Sequence, residues 1–209
     1  MPLQIDANLA VRTVHDAAGP ALCAILLNPS FKGRNSVSQG NLQIAAEALG
    51  FDRVSTVNLV GVQTRNSHDL AERATTPAVW RSARPEIEEA LRMSDHVLFG
   101  WGDSRLRGIA NAWKQEQVEW IIDRAIDHGH EYVLMMDGKP RHPSRWRQYV
   151  GPQRGLFAGP SLNHRFAQAL QPRRAESILG RRSNLERHPL AEVLKKAEAR
   201  RSEWQGAPA

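Results

Sequence analysis

A chain of 209 residues with a 41% hydrophobic and 24% charged composition has room for one α/β domain with a real core and little for a second. Its single cysteine, Cys23, excludes a disulfide framework, a cysteine zinc site and an iron–sulfur cluster held by one chain, and no stretch approaches the ~20 apolar residues of a membrane span. The excess of 28 Lys and Arg over 22 Asp and Glu gives +6, a balance compatible with a polyanionic partner.

The elements alternate. Ala21–Leu27 (ALCAILL) reads as a buried strand with Cys23 as a small core residue. Asn41–Leu49 reads as a helix with Leu42, Ala45, Ala46 and Leu49 on one face, ended by Gly50. Val54–Leu59 is a β-branched strand. Pro77–Met93 is a longer helix in which Pro85 marks a break or a new start. Asp95–Trp101 is a third strand, Leu106–Ile126 an amphipathic helix, and Glu131–Met136 a fourth strand. Ala158–Leu170 and Pro189–Trp204 are late helices. Strands separated by helices imply an α/β fold, a three-layer αβα sandwich with a central four-stranded parallel sheet. Residues 1–170 form this domain, and residues 171–209 a basic helical extension packed on it or continuing it. From Pro172 to Ala209 nine Lys and Arg face five Glu, so this segment carries four of the six net charges. The N-terminus MPLQIDANLAV has early charge and no long apolar run, so a cytoplasmic monomer without membrane contact is expected.

In a parallel sheet the ligand site lies outside the carboxyl ends of the strands. Those ends read Asn28-Pro29-Ser30, Asn58-Leu59, Trp101-Gly102-Asp103 and Gly138-Lys139-Pro140-Arg141-His142-Pro143-Ser144. Each has an ordinary explanation. Asn-Pro opens turns, Asn58 caps one, and Trp101 packs. The last is harder to dismiss. Two prolines stiffen a loop that carries a histidine, and Lys139, Arg141, Arg145 and Arg147 bring four cations and no acid. Such a loop suits phosphate and base contact.

The four motifs in this order resemble the uracil-DNA glycosylase superfamily over roughly residues 21–149. In that superfamily the first strand ends in Asp or Asn followed by Pro, here Asn28-Pro29. A second ends in an Asn that reads a flipped base, here Asn58. A third ends in a Leu-Trp-Gly-like turn, here Phe99-Gly100-Trp101-Gly102. A His-Pro-Ser loop follows the fourth, here His142-Pro143-Ser144. The chain also resembles a bacterial domain family with the same LNPS, NL, WG and GxPRHP signatures.

The resemblance implies a uracil-DNA glycosylase-like fold and a monofunctional DNA glycosylase acting on double-stranded DNA. Such an enzyme flips a base out of the stack and hydrolyses its N-glycosidic bond, leaving an abasic site. His142 would donate to the base oxygen as negative charge develops, Asn58 would meet the base edge, and Asn28 would hold the attacking water. An amide is no general base, so Asp103 and Asp137 are the nearest assistants. Arg145 and Trp146 stand where the family carries its wedge, and Lys32, Arg34, Arg141, Ser144 and Arg147 would contact DNA. Pro29 and Phe31 would help hold the base. Uracil-specific members carry a Tyr after the Pro that rejects a C5 methyl; Ser30 leaves a space instead. A bulky 5-substituted pyrimidine, such as glucosylated hydroxymethylcytosine in phage DNA, is therefore expected ahead of uracil in repair, with antiviral defence as the role. No cofactor or metal is expected. The rivals are a nucleotide-processing hydrolase and a modified-base reader that flips without cutting.

Overall fold

The computed structural model describes residues 19–179, with the side chains of Arg34 and Leu179 outside the description. The helix expected at Pro189–Trp204 and the N-terminal segment read for signal character lie outside the described residues. No helix among the described residues is long and apolar enough to cross a membrane.

Strand β1 (Ala21–Leu26) is buried at every position. This is how a central strand covered on both faces reads in sequence, as an unbroken apolar run. Ser36 then accepts the Gln39 N–H to cap α1 (Val37–Leu49), and Gly50, with φ 77°, ends it in a left-handed turn. β2 (Arg53–Asn58) lies parallel to β1, with Leu26 beside Asn58. Asn66 accepts the N–H groups of His68 and Asp69 to start α2 (Ser67–Arg73). The expected long helix is two, α3 (Pro77–Arg81) and α4 (Arg84–Arg92), each with a proline in its first turn. Pro85 marks a new start because a first-turn residue needs no N–H partner. β3 (His96–Phe99) pairs with β1, α5 (Ile109–Asp127) crosses over, and β4 (Tyr132–Met136) pairs with β3. Three short elements, α6 (Trp146–Tyr149), α7 (Leu162–Ala169) and α8 (Ala175–Leu179), flank a last strand, β5 (Leu170–Arg174).

The sheet order is β2-β1-β3-β4-β5. The first four strands are parallel, and β5 closes one edge antiparallel to β4. The expected four-stranded sheet is thus corrected to five strands. The segment LQPRR escapes notice because its proline and two arginines carry no strand pattern. An edge strand tolerates both, since one of its sides faces solvent. The sheet therefore runs past residue 170, into the segment read as a basic extension.

Alternate residues of β1 serve two cores. Cys23 and Ile25 pack with Trp80, Ile87, Leu91, Trp113, Ile121 and Ile122 under α3, α4 and α5. Leu22, Ala24 and Leu26 pack with Leu42, Ala46, Trp146 and Phe166 under α1, α6 and α7. Burial pushes the Cys23 thiol up to about 12, which makes it an inert core residue. The crossover after β1 covers one face, and those after β2 and β3 cover the other. The order therefore switches between β1 and β3, and a crevice opens there at the carboxyl ends.

Candidate functional site

Past the end of β2 the backbone stays in the ladder with β1 for two more residues, with Leu59 N–H donating to Leu26 O and Val60 N–H to Leu27 O. Asn28 then turns out of the sheet. Its Nδ2 donates to Val62 O at 3.3 Å and Thr64 Oγ1 at 3.2 Å, and reaches Pro29 O at 3.4 Å. Two of these partners are carbonyls and need a donor, so the amide orientation is fixed. Oδ1 is the atom left to face a ligand or a water. Pro29 is buried and Ser30 exposed. Ser30 is held by turns on both sides: its Oγ accepts from Lys32 N–H, and its carbonyl accepts from Gly33 N–H and Gln63 Nε2.

Asn58, the last residue of β2, is half-buried, and its amide has no side-chain partner among the described residues. His142 comes from the loop after β4. That loop begins with a tight turn in which Asp137 and Gly138 have φ 51° and 67°. The positive φ calls for glycine at Gly138, whereas the nearest atoms to a Cβ there, 2.7 Å away, are the mobile end of the exposed Arg173 side chain. The loop is then anchored from beneath. Gly102 N–H donates to Pro140 O, Trp146 Nε1 to Arg141 O at 2.8 Å, and the buried Asn41 Nδ2 to Pro143 O at 2.7 Å. Pro143 presses on Gly100, where a Cβ would lie 3.2 Å from its ring and 3.0 Å from Leu26. The glycine after β3 therefore lets the histidine loop close down on the strand ends.

These elements shape two adjoining clefts. The first, about 320 Å³, is lined by Asn28, Pro29, Ser30, Lys32, Asn58, His142 and Ser144, a volume at the lower end of small-molecule sites. Sequence reasoning missed part of its wall, namely Ser36, Ser38, Gln39, Thr56 and Thr64. Gln39 and Thr56 are joined at 3.2 Å. The hint was the polar first turn of α1 and the inward Thr of β2. Among the described residues no carboxylate lines this cleft.

In His142, Nδ1 accepts the Ser144 N–H at 3.4 Å and lies 2.9 Å from Ser144 Oγ. A backbone N–H only donates, so Nδ1 is unprotonated and the neutral ring carries its hydrogen on Nε2. Burial first, and the charge of Arg145 second, hold its pKa below the ordinary histidine value. The ring is thus kept as a neutral donor.

The second cleft, about 440 Å³, shares Asn28, Thr64, Arg65, His142 and Ser144 with the first. It adds Asp103, Arg141, Arg145, Tyr149 and Arg154. Asp103 rides on the turn after β3. Lys114, a buried lysine of α5, clamps that turn, donating to Gly102 O at 3.2 Å and Ser104 O at 2.8 Å. Burial lowers Lys114 to about 8. Arg65 and Arg154 were not anticipated. Arg65 had a signal, in the polar Thr64-Arg65-Asn66-Ser67 that follows β2; Arg154 had none.

Four expectations are corrected. Trp146 is wholly buried, edge-on to Phe166 at 5.5 Å, so it supports the loop from below and is no wedge. Arg147 Nε donates to Asn41 at 2.7 Å, and the side chain lines neither cleft, so it braces α1. Asp137 accepts from the Tyr149 hydroxyl and lines neither cleft, which leaves Asp103 as the acid near the site. Phe31 is 58% exposed and outside the lining of both clefts, so it is not a core residue and stands apart from the cleft where the base was expected. The Arg34 side chain lies outside the described residues.

No curated protein and no solved structure matches the chain. Residues 10–144 match the family model described as "Protein of unknown function (DUF1643)", a span that runs through β1–β4 and ends on the histidine loop at Ser144. That span exceeds half of the 209 residues and contains Asn28, Asn58 and His142; the chain belongs to the DUF1643 family.

Proposed function

We propose that the protein is a monofunctional DNA glycosylase that flips a 5-substituted pyrimidine out of double-stranded DNA and hydrolyses its N-glycosidic bond. The observation that carries this reading is the convergence of Asn28, Asn58 and His142 on one cleft at the carboxyl ends of the sheet. Asn58 offers an uncommitted amide to the hydrogen-bonding edge of the base. His142, neutral with its hydrogen on Nε2, donates to the base oxygen. As the C1′–N bond breaks, its electron pair moves onto the base, and the donor stabilises that charge. Asn28 Oδ1 holds a water, whose oxygen bonds to C1′. One of its protons ends on the departing base, with Asp103 as relay from the adjoining cleft.

The choice of base rests on Ser30 and the wall behind it. Ser30, Ser36, Ser38, Gln39 and Thr56 give hydroxyl and amide groups where an aromatic ring would exclude a C5 substituent. Lys32 lines the same cleft. Such a lining suits a polar attachment such as a sugar, hence glucosylated hydroxymethylcytosine and a role in antiviral defence in the cytoplasm, by a monomer that needs no cofactor. The test is base release from duplexes containing uracil, thymine, hydroxymethylcytosine or its glucosylated form. Release of the glucosylated base is expected, and release of uracil alone would sink the argument from the C5 space. One observation favours a second reading, a reader that flips the base without cutting: no carboxylate of the described residues lines the first cleft. Abasic sites after incubation exclude it.

A further inference from the structure

The second cleft collects cations in a way the proposed base chemistry does not need. Arg65, Arg141, Arg145 and Arg154 converge on it, and Asp103 is its one carboxylate among the described residues. None of the four arginines makes an ion pair among the described residues. Arg141 lies 4.0 Å over the Tyr149 ring, which fixes its guanidinium plane, and its Nε is buried without a hydrogen-bond partner among the described residues. Arg145 has only a long contact to Gln148, at 3.4 Å. Four like charges gathered around a single carboxylate repel one another, and an anion lying between them relieves that repulsion. Guanidinium forks match phosphate oxygens two at a time.

We propose that this cleft is a phosphate-recognition subsite that takes successive phosphodiester groups of the strand whose base occupies the first cleft. Arg65 and His142 belong to both clefts, so a strand lying in the second delivers its nucleotide directly to the first. The exposed side chains of Arg65 and Arg154 reach the cleft from separate segments, one after β2 and one after α6. The subsite rests on the glycosylase reading for its substrate, although its binding is measured apart from any base release.

The experiment titrates a fluorescein-labelled unmodified DNA duplex with the full chain at several salt concentrations. The proteins are the wild type, the double variant Arg65→Gln/Arg154→Gln and the control Arg81→Gln. Each phosphate contact contributes about 0.9 to the slope of log K against log salt. The double variant should therefore lose about two from the slope, and Arg81→Gln nothing. An unchanged slope in the double variant overturns the subsite. A competition arm adds a free nucleoside triphosphate. If the triphosphate binds and loses affinity in the double variant while duplex binding stays the same, the cleft serves free nucleotides and the strand assignment falls. Base release from modified DNA with an unchanged slope removes the subsite and leaves the glycosylase. A reduced slope without base release retains the subsite and removes the hydrolysis.

Discussion

The arginines on the flank built from α3, α4 and α5 differ in their setting from those on the strand-end rim. On the flank, Arg81 and Arg84 both reach Glu116, at 2.8 and 3.2 Å, Arg92 reaches Glu89, and Arg124 binds Glu88 and Asp127. The hydrogen bond from Arg124 holds Glu88 below the ordinary carboxylate range. On the rim, Arg65, Arg141, Arg145 and Arg154 face one another and a single Asp103. Flank arginines staple helices, and each exposed pair is worth under about 1 kcal/mol. Rim arginines make no ion pair among the described residues, and the loops beneath them are held instead by neutral hydrogen bonds and core side chains. Charge used for structure is neutralised within the fold; charge left unneutralised beside a cleft is available to a ligand.

Substitutions beneath, within and away from the rim test that contrast. The largest effect belongs to Trp146→Ala, which empties a fully buried site and frees Arg141 O. It should cost about 3–5 kcal/mol of stability in chemical denaturation. A variant as stable as the wild type would mean that Trp146 is not the strut described. Next comes His142→Phe, which keeps a ring and removes its donor. Removing one donor to developing charge typically lowers a rate by about 10²–10³, so base release should fall by that factor with stability little changed.

Lys114→Met leaves the Gly102 and Ser104 carbonyls unpaired, at about 1–3 kcal/mol. The pH dependence has a definite sign. The folded value of about 8 lies below the ordinary 10.5, so between these the unfolded chain binds more protons. Wild-type stability relative to the variant should then rise as pH climbs from about 8 to 10.5. A smaller effect concerns His142. Because its pKa is depressed, the neutral donor persists across the ordinary histidine range, and its contribution is lost only as pH falls through the lowered value. Base release should weaken on the acid side below 6.5. Arg145→Gln removes one cause of the depression and should move that acid limb upward in a pH–rate profile. Smallest is Arg81→Gln, whose stability should change by under about 1 kcal/mol.

Much of the framework was legible because parallel strands announce themselves by apolar runs, and polar residues at their ends need a reason. Asn28, Asn58 and His142 were found that way. What could not be read depends on partners far along the chain. Trp146 follows a basic loop and looks exposed until Phe166 of α7 is set beneath it. Arg147 looks like a DNA contact until Asn41, more than a hundred residues earlier, accepts from it. β5 carries a proline and two arginines, and only its edge position makes them tolerable. Arg154 lies in a connection with no periodic signal at all.

The central claim is that the Asn28–Asn58–His142 cleft performs hydrolysis on a flipped base. The most direct measurement counts abasic sites in duplex DNA carrying glucosylated hydroxymethylcytosine after incubation with the wild type and with Asn58→Ala. Strand breaks at alkaline pH report each site. Abasic sites with the wild type, strongly reduced by Asn58→Ala, are the predicted result. Intact DNA with a wild type that binds the duplex tightly would contradict hydrolysis and leave a protein that reads the base without removing it.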